Sequence, residues 1–332
     1  MSKIAVIGAG SWGCALSQLL AKNGNDIILW ALEPEVEKGI NISHKNPIYL
    51  SSIVLDDRIK ATNSFEEALD GAKFCVMVTP SQFLRSTAEG FKAFVDDDLP
   101  IVICSKGAEH DTGLLSSEVL ADVLGNERRI AVLSGPTHAE EVIKQVYSAA
   151  TCACSDLELA NRIRDVFSSE YFRVYTMTDV YGVELCATFK NVIAIAVGLC
   201  YGLGFGDNTA ALIITRGVAE MSRMVKSAGG DERTCQGLAG IGDMVVTCMS
   251  RHSRNRRFGE DYLSKGKTLD DFKHDTKMIV EGAVAAQNLQ TLSKKFNVEL
   301  PITNMINDII WNGANVLEQV KVLASRPLKQ EF

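Results

Sequence analysis

Short apolar runs alternate with longer amphipathic stretches along the first half of the chain. Residues 4–7, 27–30, 74–78, 101–104 and 130–133 are nearly continuous runs of apolar, often β-branched side chains, the length and composition of buried strands. Each is followed by a turn and a stretch with helical spacing, so the pattern predicts repeated β–α units and a doubly wound, mostly parallel sheet. Two later strands, around 148–154 and 172–175, extend that sheet. Ser64 and Glu67 stand at capping-box spacing before Ala68 and Leu69, while Asn23 with Gly24 and Gly125 with Asn126 read as helix stops. Beyond Thr178 the period changes. Residues 183–200, 209–228, 280–295 and 302–312 keep helical spacing with little strand character, so a boundary near 179–182 divides residues 1–180 from an all-helical part, 181–332.

The 332-residue length suits two domains of ordinary size, and 46% hydrophobic with 23% charged residues excludes a disordered chain. A net charge of −7 argues against nucleic acid or an anionic membrane surface as a general partner, because both need a positive face. An anionic substrate must then be held by a local basic cluster. The nine cysteines are scattered, with no zinc-like spacing, and read as buried reduced thiols; no metal is expected. The chain enters its first strand directly after Met1, Ser2 and Lys3, and its longest apolar stretch, 192–205, is too short and glycine-rich to span a bilayer. A soluble cytoplasmic protein without a membrane span is the expectation.

Chemistry enters at the first turn. The strand 3–7 runs into Gly8, Gly10 and Gly13, a G-x-G-x-x-G spacing, and then a helix over 14–22. Leaving a buried strand and opening a helix, this spacing specifies a Rossmann-like dinucleotide site. Gly8 allows the tight turn, Gly10 lets a pyrophosphate approach, Gly13 lets helix and strand pack, and the helix N–H groups receive the phosphates. A glycine-rich turn without a ligand is the bland alternative. Residues 1–180 are therefore the expected dinucleotide-binding domain and 181–332 the substrate and catalytic domain. Glu33, near the end of the second strand, either accepts bonds from ribose hydroxyls or serves a helix start beside Pro34. Strand ends in such sheets face the ligand. Here they carry Thr79 with Ser81, Ser105 with Lys106, and Ser134 with Gly135 and Thr137. Lys106 is the lone charge at its strand exit, unless it only snorkels at the surface.

In the second half, Lys190 stands in an almost wholly apolar helix with Asn191 beside it. Burial disfavours an ammonium, and a lysine tuned toward neutrality can accept a proton from a secondary alcohol while Asn191 orients the hydroxyl. A lysine on the one wet stripe of a core helix is the alternative. Asp243 and Thr247 lie one helical turn apart after a glycine pair, with Asp243 open to reading as a helix cap. Ser253, Arg254 and Asn255 offer a phosphate site, or a solvated basic turn.

Together these segments resemble bacterial-type NAD(P)-dependent glycerol-3-phosphate dehydrogenase, over residues 8–13, 105–109, 133–139, 184–198, 238–259 and 280–282. The resemblance implies hydride transfer between a nicotinamide cofactor, NAD or NADP, and a small phosphorylated substrate, the glycerol 3-phosphate and dihydroxyacetone phosphate pair. It implies Lys190 as the proton acceptor, assisted by Asp243 and Thr247. Around the substrate it places Lys106, Gly135, Thr137, Ser253, Arg254 and Asn255, and around the cofactor Ser11, Trp12, Lys106, Ala139, Arg254, Ile279 and Glu281. A homodimer and a role supplying glycerol 3-phosphate for phospholipid synthesis follow from the same resemblance. Thr137 and His138 depart from the usual Ser and apolar aromatic, and residues 186–189 from a more glycine-rich approach to the lysine. Leu32 replaces a frequent arginine that pairs with the NADP phosphate, so NADH is expected to serve at least as well as NADPH. The rival readings are a β-hydroxyacid dehydrogenase or ketopantoate reductase, which need a carboxylate site, and a non-catalytic dinucleotide sensor, which needs no proton carrier.

Overall fold

The computed structural model describes residues 2–109, 112–328, 330 and 331, which fall into two compact units. The first comprises residues up to Glu109 with Leu114–Glu184, and the second residues 112–113 with everything from Leu185 on.

The first unit is built on eight strands: β1 (Lys3–Ile7), β2 (Asp26–Trp30), β3 (Ile59–Thr62), β4 (Phe74–Met77), β5 (Ile101–Ile103), β6 (Ile130–Ser134), β7 (Ser148–Ala153) and β8 (Phe172–Met177). Their order is β3-β2-β1-β4-β5-β6-β7-β8. Every pairing is parallel except β6 with β7. The expected doubly wound, mostly parallel sheet is present, and the two late strands extend it. β1 lies between β2 and β4, so the winding direction reverses beside it, which is where such sheets place a ligand. Both of its edges being paired, Ile4 through Ile7 are fully buried, which accounts for the unbroken apolar run.

Two local expectations are corrected. β3 was not among the expected strands: its four residues, Ile59, Lys60, Ala61 and Thr62, include an exposed lysine and only β2 pairs with it. At the helix Phe65–Leu69 only half of a capping box forms. The Ser64 hydroxyl accepts from the Glu67 N–H, but the Glu67 carboxylate accepts from the Thr62 hydroxyl at 2.6 Å, not from the Ser64 backbone.

The long helix Val180–Gly202 is the main element of the second half. At 23 residues, with mean hydropathy 1.7 in its most apolar window, it is long and apolar enough to cross a membrane. The expected stretch 192–205 understated it. That window is buried throughout, as in a core helix, and the ionisable side chains that interrupt it in sequence are buried with partners. Glu184 accepts from the N–H of Ser117 at 2.9 Å and from its hydroxyl; burial pushes its carboxyl up to about 7, against the pull of those bonds.

In the second unit, backbones approach the long helix closely. A Cβ at Gly259 would lie 2.2 Å from the Ile195 carbonyl oxygen, and one at Gly198 would lie 2.1 Å from that of Arg256. Only paired glycines let the turn Arg254–Arg257 and the segment Phe258–Tyr262 sit against the helix that carries Lys190 and Asn191. Glu220, on the helix Asp207–Ser227, accepts from the N–H groups of Ile302 (2.6 Å) and Thr303 (3.2 Å) and from the Thr303 hydroxyl (3.0 Å). It thereby caps the helix Pro301–Trp311, whose own N-cap, Leu300, has no side-chain acceptor.

Candidate active site

The first unit supplies a cradle made mainly of backbone. Gly8 leaves β1 with φ +119, and a Cβ at Gly13 would lie 1.9 Å from the Gly8 carbonyl oxygen, so neither position accepts a side chain. Around Gly10 a Cβ would meet nothing within 4 Å, which leaves open space beside the helix start. The helix Ser11–Lys22 begins with no side-chain cap and no acid in its first turn, so neither fills nor repels at that end. Asn46 closes the turn from the side: its Nδ2 donates to the Ala9 carbonyl at 2.8 Å, and its Oδ1 accepts from the N–H groups of Ile48 and Tyr49.

The strand ends on the far side of β1 carry polar groups. Lys106 Nζ donates to the Gly135 carbonyl at 3.4 Å, and the Thr137 hydroxyl donates to the same oxygen at 3.1 Å, so three of the expected residues converge. The Thr79 and Ser134 hydroxyls are buried without a hydrogen-bond partner among the described residues. Orphaned hydroxyls at strand ends are costly unless a ligand or water completes them. An uncapped helix start, a turn that admits no Cβ at Gly8 or Gly13 and leaves open space at Gly10, and orphaned hydroxyls fit a bound nicotinamide dinucleotide. Beyond β2, Leu32 is 72% exposed, and Glu33 is the N-cap of the helix Pro34–Ser43 without a capping side-chain bond. Burial raises the pKa of the Tyr49 phenol, and the Glu33 charge adds to the shift.

The second unit supplies a buried side-chain cluster. Lys190 Nζ lies 2.9 Å from Asp243 Oδ1 and 2.9 Å from Thr247 Oγ1, with Lys190 6% and Asp243 2% exposed. The Thr247 hydroxyl donates to the Asp243 carbonyl at 2.6 Å, so toward Lys190 it acts as acceptor. Gly242, not Asp243, is the N-cap of the helix Asp243–Met249, which leaves the Asp243 carboxylate to the lysine. A carboxylate at contact distance favours the ammonium form and opposes the effect of burial. Beside the cluster, burial pushes the Cys248 thiol up to about 12, with the Lys190 charge pulling the other way.

Asn191 faces elsewhere. Its Oδ1 accepts from Asn255 Nδ2 at 2.9 Å and its Nδ2 reaches Glu281 at 3.5 Å, while Asn255 Oδ1 accepts from the Gly282 N–H at 2.9 Å. This amide network ties the long helix, the turn Arg254–Arg257 and the start of the helix Glu281–Phe296 together. Ser253 is the N-cap of that turn, accepting from the Arg256 N–H. The basic run divides: Arg256 is held by Glu260 at 3.1 Å and lies 4.8 Å over the Tyr201 ring, whereas Arg254 has a 44% exposed side chain and a long, 3.6 Å pairing with Glu281. Ile279 is half-buried just before that helix, and Ala139 opens the short helix Ala139–Val142 in the first unit.

Two family models match, described as the N-terminus and the C-terminus of NAD-dependent glycerol-3-phosphate dehydrogenase, over residues 3–160 and 179–321. The chain belongs to the NAD-dependent glycerol-3-phosphate dehydrogenase family. Among its relatives, the glycerol-3-phosphate dehydrogenase (NAD(P)+) of Corynebacterium jeikeium is 43% identical over the whole of both chains. That of Thermobifida fusca is also 43% identical, covering 100% of this chain and 99% of the relative. The crystal structure of glycerol-3-phosphate dehydrogenase from Coxiella burnetii matches with a TM-score of 0.92 and 33% identity, covering 98% of this chain and 99% of that one. A ketopantoate reductase from Ralstonia eutropha, representing the rival class, shares the fold at a TM-score of 0.61 with 15% identity. The resemblance read from the motifs is therefore borne out, as is the fold class.

Against this family background, Asn46 was missed in the sequence, because an Asn before Pro47 reads only as a turn. Nothing in the local pattern signals that its amide closes the fingerprint. The amide pairing of Asn191 with Asn255 also leaves no local signal, since the two lie 64 positions apart.

Proposed function

We propose that the chain interconverts sn-glycerol 3-phosphate and dihydroxyacetone phosphate with Lys190 as the proton carrier. The observation that carries this reading is the buried contact of Lys190 with Asp243 and Thr247. A bound nicotinamide dinucleotide, NAD or NADP, supplies or accepts the hydride. In the reducing direction the Lys190 ammonium gives its proton to the substrate's carbonyl oxygen; in the oxidising direction its neutral amine takes the proton from the hydroxyl. Asp243 holds the ammonium in place and offsets the cost of burying it, while Thr247 accepts one N–H and so restricts the direction of the remaining donors.

In this reading residues 1–180 form the dinucleotide-binding domain and residues 181–332 the catalytic domain. Gly8, Gly10, Ser11, Trp12, Gly13, Lys106 and Ala139 are the first domain's cofactor residues, with Arg254, Ile279 and Glu281 from the second. Lys106, Gly135 and Thr137, together with Ser253 and Arg254, serve the phosphorylated substrate. Arg254 is the residue suited to a dianion, because its long pairing with Glu281 yields easily to a bidentate phosphate contact. Asn191 and Asn255 hold the lysine helix and the arginine turn in register. A cytoplasmic homodimer that supplies glycerol 3-phosphate for phospholipid synthesis completes the proposal, supported by the family resemblance.

Steady-state kinetics of Arg254→Ala test the substrate assignment. We expect a loss of ~2–4 kcal/mol in kcat/KM with dihydroxyacetone phosphate and a much smaller loss with unphosphorylated dihydroxyacetone, which never makes the contact. Equal losses on both substrates would overturn the role in phosphate binding.

A further inference from the structure

The nine cysteines are all buried and none is in a disulfide, yet two of them meet. Cys186 Sγ and Cys235 Sγ are 3.8 Å apart, in van der Waals contact, from segments 49 positions apart. Cys186 is on the long helix, one turn before Lys190. Cys235 is buried in the single turn Glu232–Gln236, next to the exposed Arg233, Gln236 and Gly237.

The backbone of Cys235 is also packed against the segment that aims Asp243. A Cβ at Gly240 would lie 2.2 Å from the Cys235 carbonyl oxygen and 2.6 Å from its Cα. Gly240 itself breaks the helical path, with φ −88 and ψ −106, three residues before Asp243. Cys186 is thus tied by the helix to Lys190, and Cys235 is tied through the Gly240 kink to Asp243. The sulfur contact joins the two supports of the Lys190–Asp243 pair.

We propose that Cys186 and Cys235 form an oxidisable dithiol site, closed to a disulfide by a peroxide, that misaligns Lys190 and Asp243. The Cys235 thiolate, reached when its turn opens, attacks one oxygen of the water-sized peroxide. The O–O bond breaks, water leaves after proton uptake, and a sulfenic acid forms. The Cys186 sulfur then attacks the Cys235 sulfur; the S–O bond breaks, a second water leaves and the S–S bond forms. Two thiols are oxidised by two electrons, and one hydrogen peroxide is reduced to two waters. An S–S bond of ~2.05 Å needs the sulfurs to close by somewhat under 2 Å, within reach of side-chain rotation plus a small backbone shift. With Gly240 already in contact with Cys235, that shift is transmitted toward Asp243. A reacting group displaced by ~1 Å costs up to a hundredfold in rate.

The bond itself is independent of the reaction assigned above, whereas its effect on turnover rests on Lys190 being the proton carrier. The test treats the intact enzyme with hydrogen peroxide, then applies non-reducing peptide mapping and activity measurement before and after dithiothreitol. We expect a Cys186–Cys235 cross-link, resolved from Cys248 by fragment ions, a turnover about tenfold or more lower in the cross-linked fraction, and recovery on reduction. Cys235→Ala and Cys186→Ala, each measured against its own untreated activity, should resist the loss, while Cys248→Ala should lose activity like the parent. Alkylatable Cys186 and Cys235 in the inactivated enzyme, or inactivation of both alanine variants, would overturn the site. A mapped cross-link with full turnover would overturn the coupling to Asp243. Failure of the lysine assignment shows separately, as undiminished turnover in Lys190→Met that has not been oxidised.

Discussion

The glycine cradle and the lysine cluster solve different problems by different means. The cradle lies within six consecutive residues and acts through backbone: what matters at Gly8 and Gly13 is the absence of a Cβ. The cluster joins Lys190 to groups 53 and 57 positions away and acts through side-chain charge in a buried setting. The backbone site tolerates change in its surroundings but no added atom at Gly8 or Gly13. A buried ion pair tolerates neither the loss of one partner nor a shift in its supports.

This contrast predicts the largest effect at Asp243. Asp243→Ala leaves the Lys190 ammonium buried without its counter-charge, which should cost ~3–5 kcal/mol in stability besides most of the turnover. Chemical denaturation of the variant checks the first part; a loss below ~1 kcal/mol would mean that the ion pair is far better hydrated than its burial implies. Breaking the cradle should cost less. In Gly13→Ala the new Cβ meets the Gly8 carbonyl, a backbone atom that cannot swing away, and the expected loss is ~1–3 kcal/mol of stability together with weaker dinucleotide binding. Undiminished cofactor affinity, read by fluorescence titration, would show that the turn has room the structure denies.

How far each region was legible in the sequence follows from the same contrast. The cradle is contiguous, so its spacing, the buried strand before it and the helix after it specify the site together. Lys190 and Asp243 were visible as separate oddities, a lysine in an apolar helix and an acid after a glycine pair. Only the resemblance joined them, because nothing local says which distant group a buried charge will meet. Asn46, the Glu220 cap and the Cys186–Cys235 contact left no signal at all, since each acts on a partner from another segment. In the sheet, the central strands were read from unbroken apolar runs, whereas β3, short, at the edge and carrying Lys60, looked like loop.

The smallest expected effect concerns cofactor choice at the end of β2. Leu32 is exposed and brings no cation to the NADP 2′-phosphate, and its neighbour Glu33 is an acid, so wild-type kcat/KM with NADH should equal or exceed that with NADPH. Leu32→Arg should move the ratio toward NADPH by about 1.5-fold to fivefold, the scale of one exposed charge pair. A wild-type enzyme with a strong NADPH preference would require a cation elsewhere near the ribose.

The division of labour between the two regions is tested most directly by Lys190→Met, measured twice on one preparation. Turnover with dihydroxyacetone phosphate should fall by ~10²–10⁴, the range for a lost general acid–base group, while the NADH dissociation constant stays within about twofold of the parent. Near-parental turnover in a folded variant that binds NADH normally would contradict the assignment of Lys190 as proton carrier.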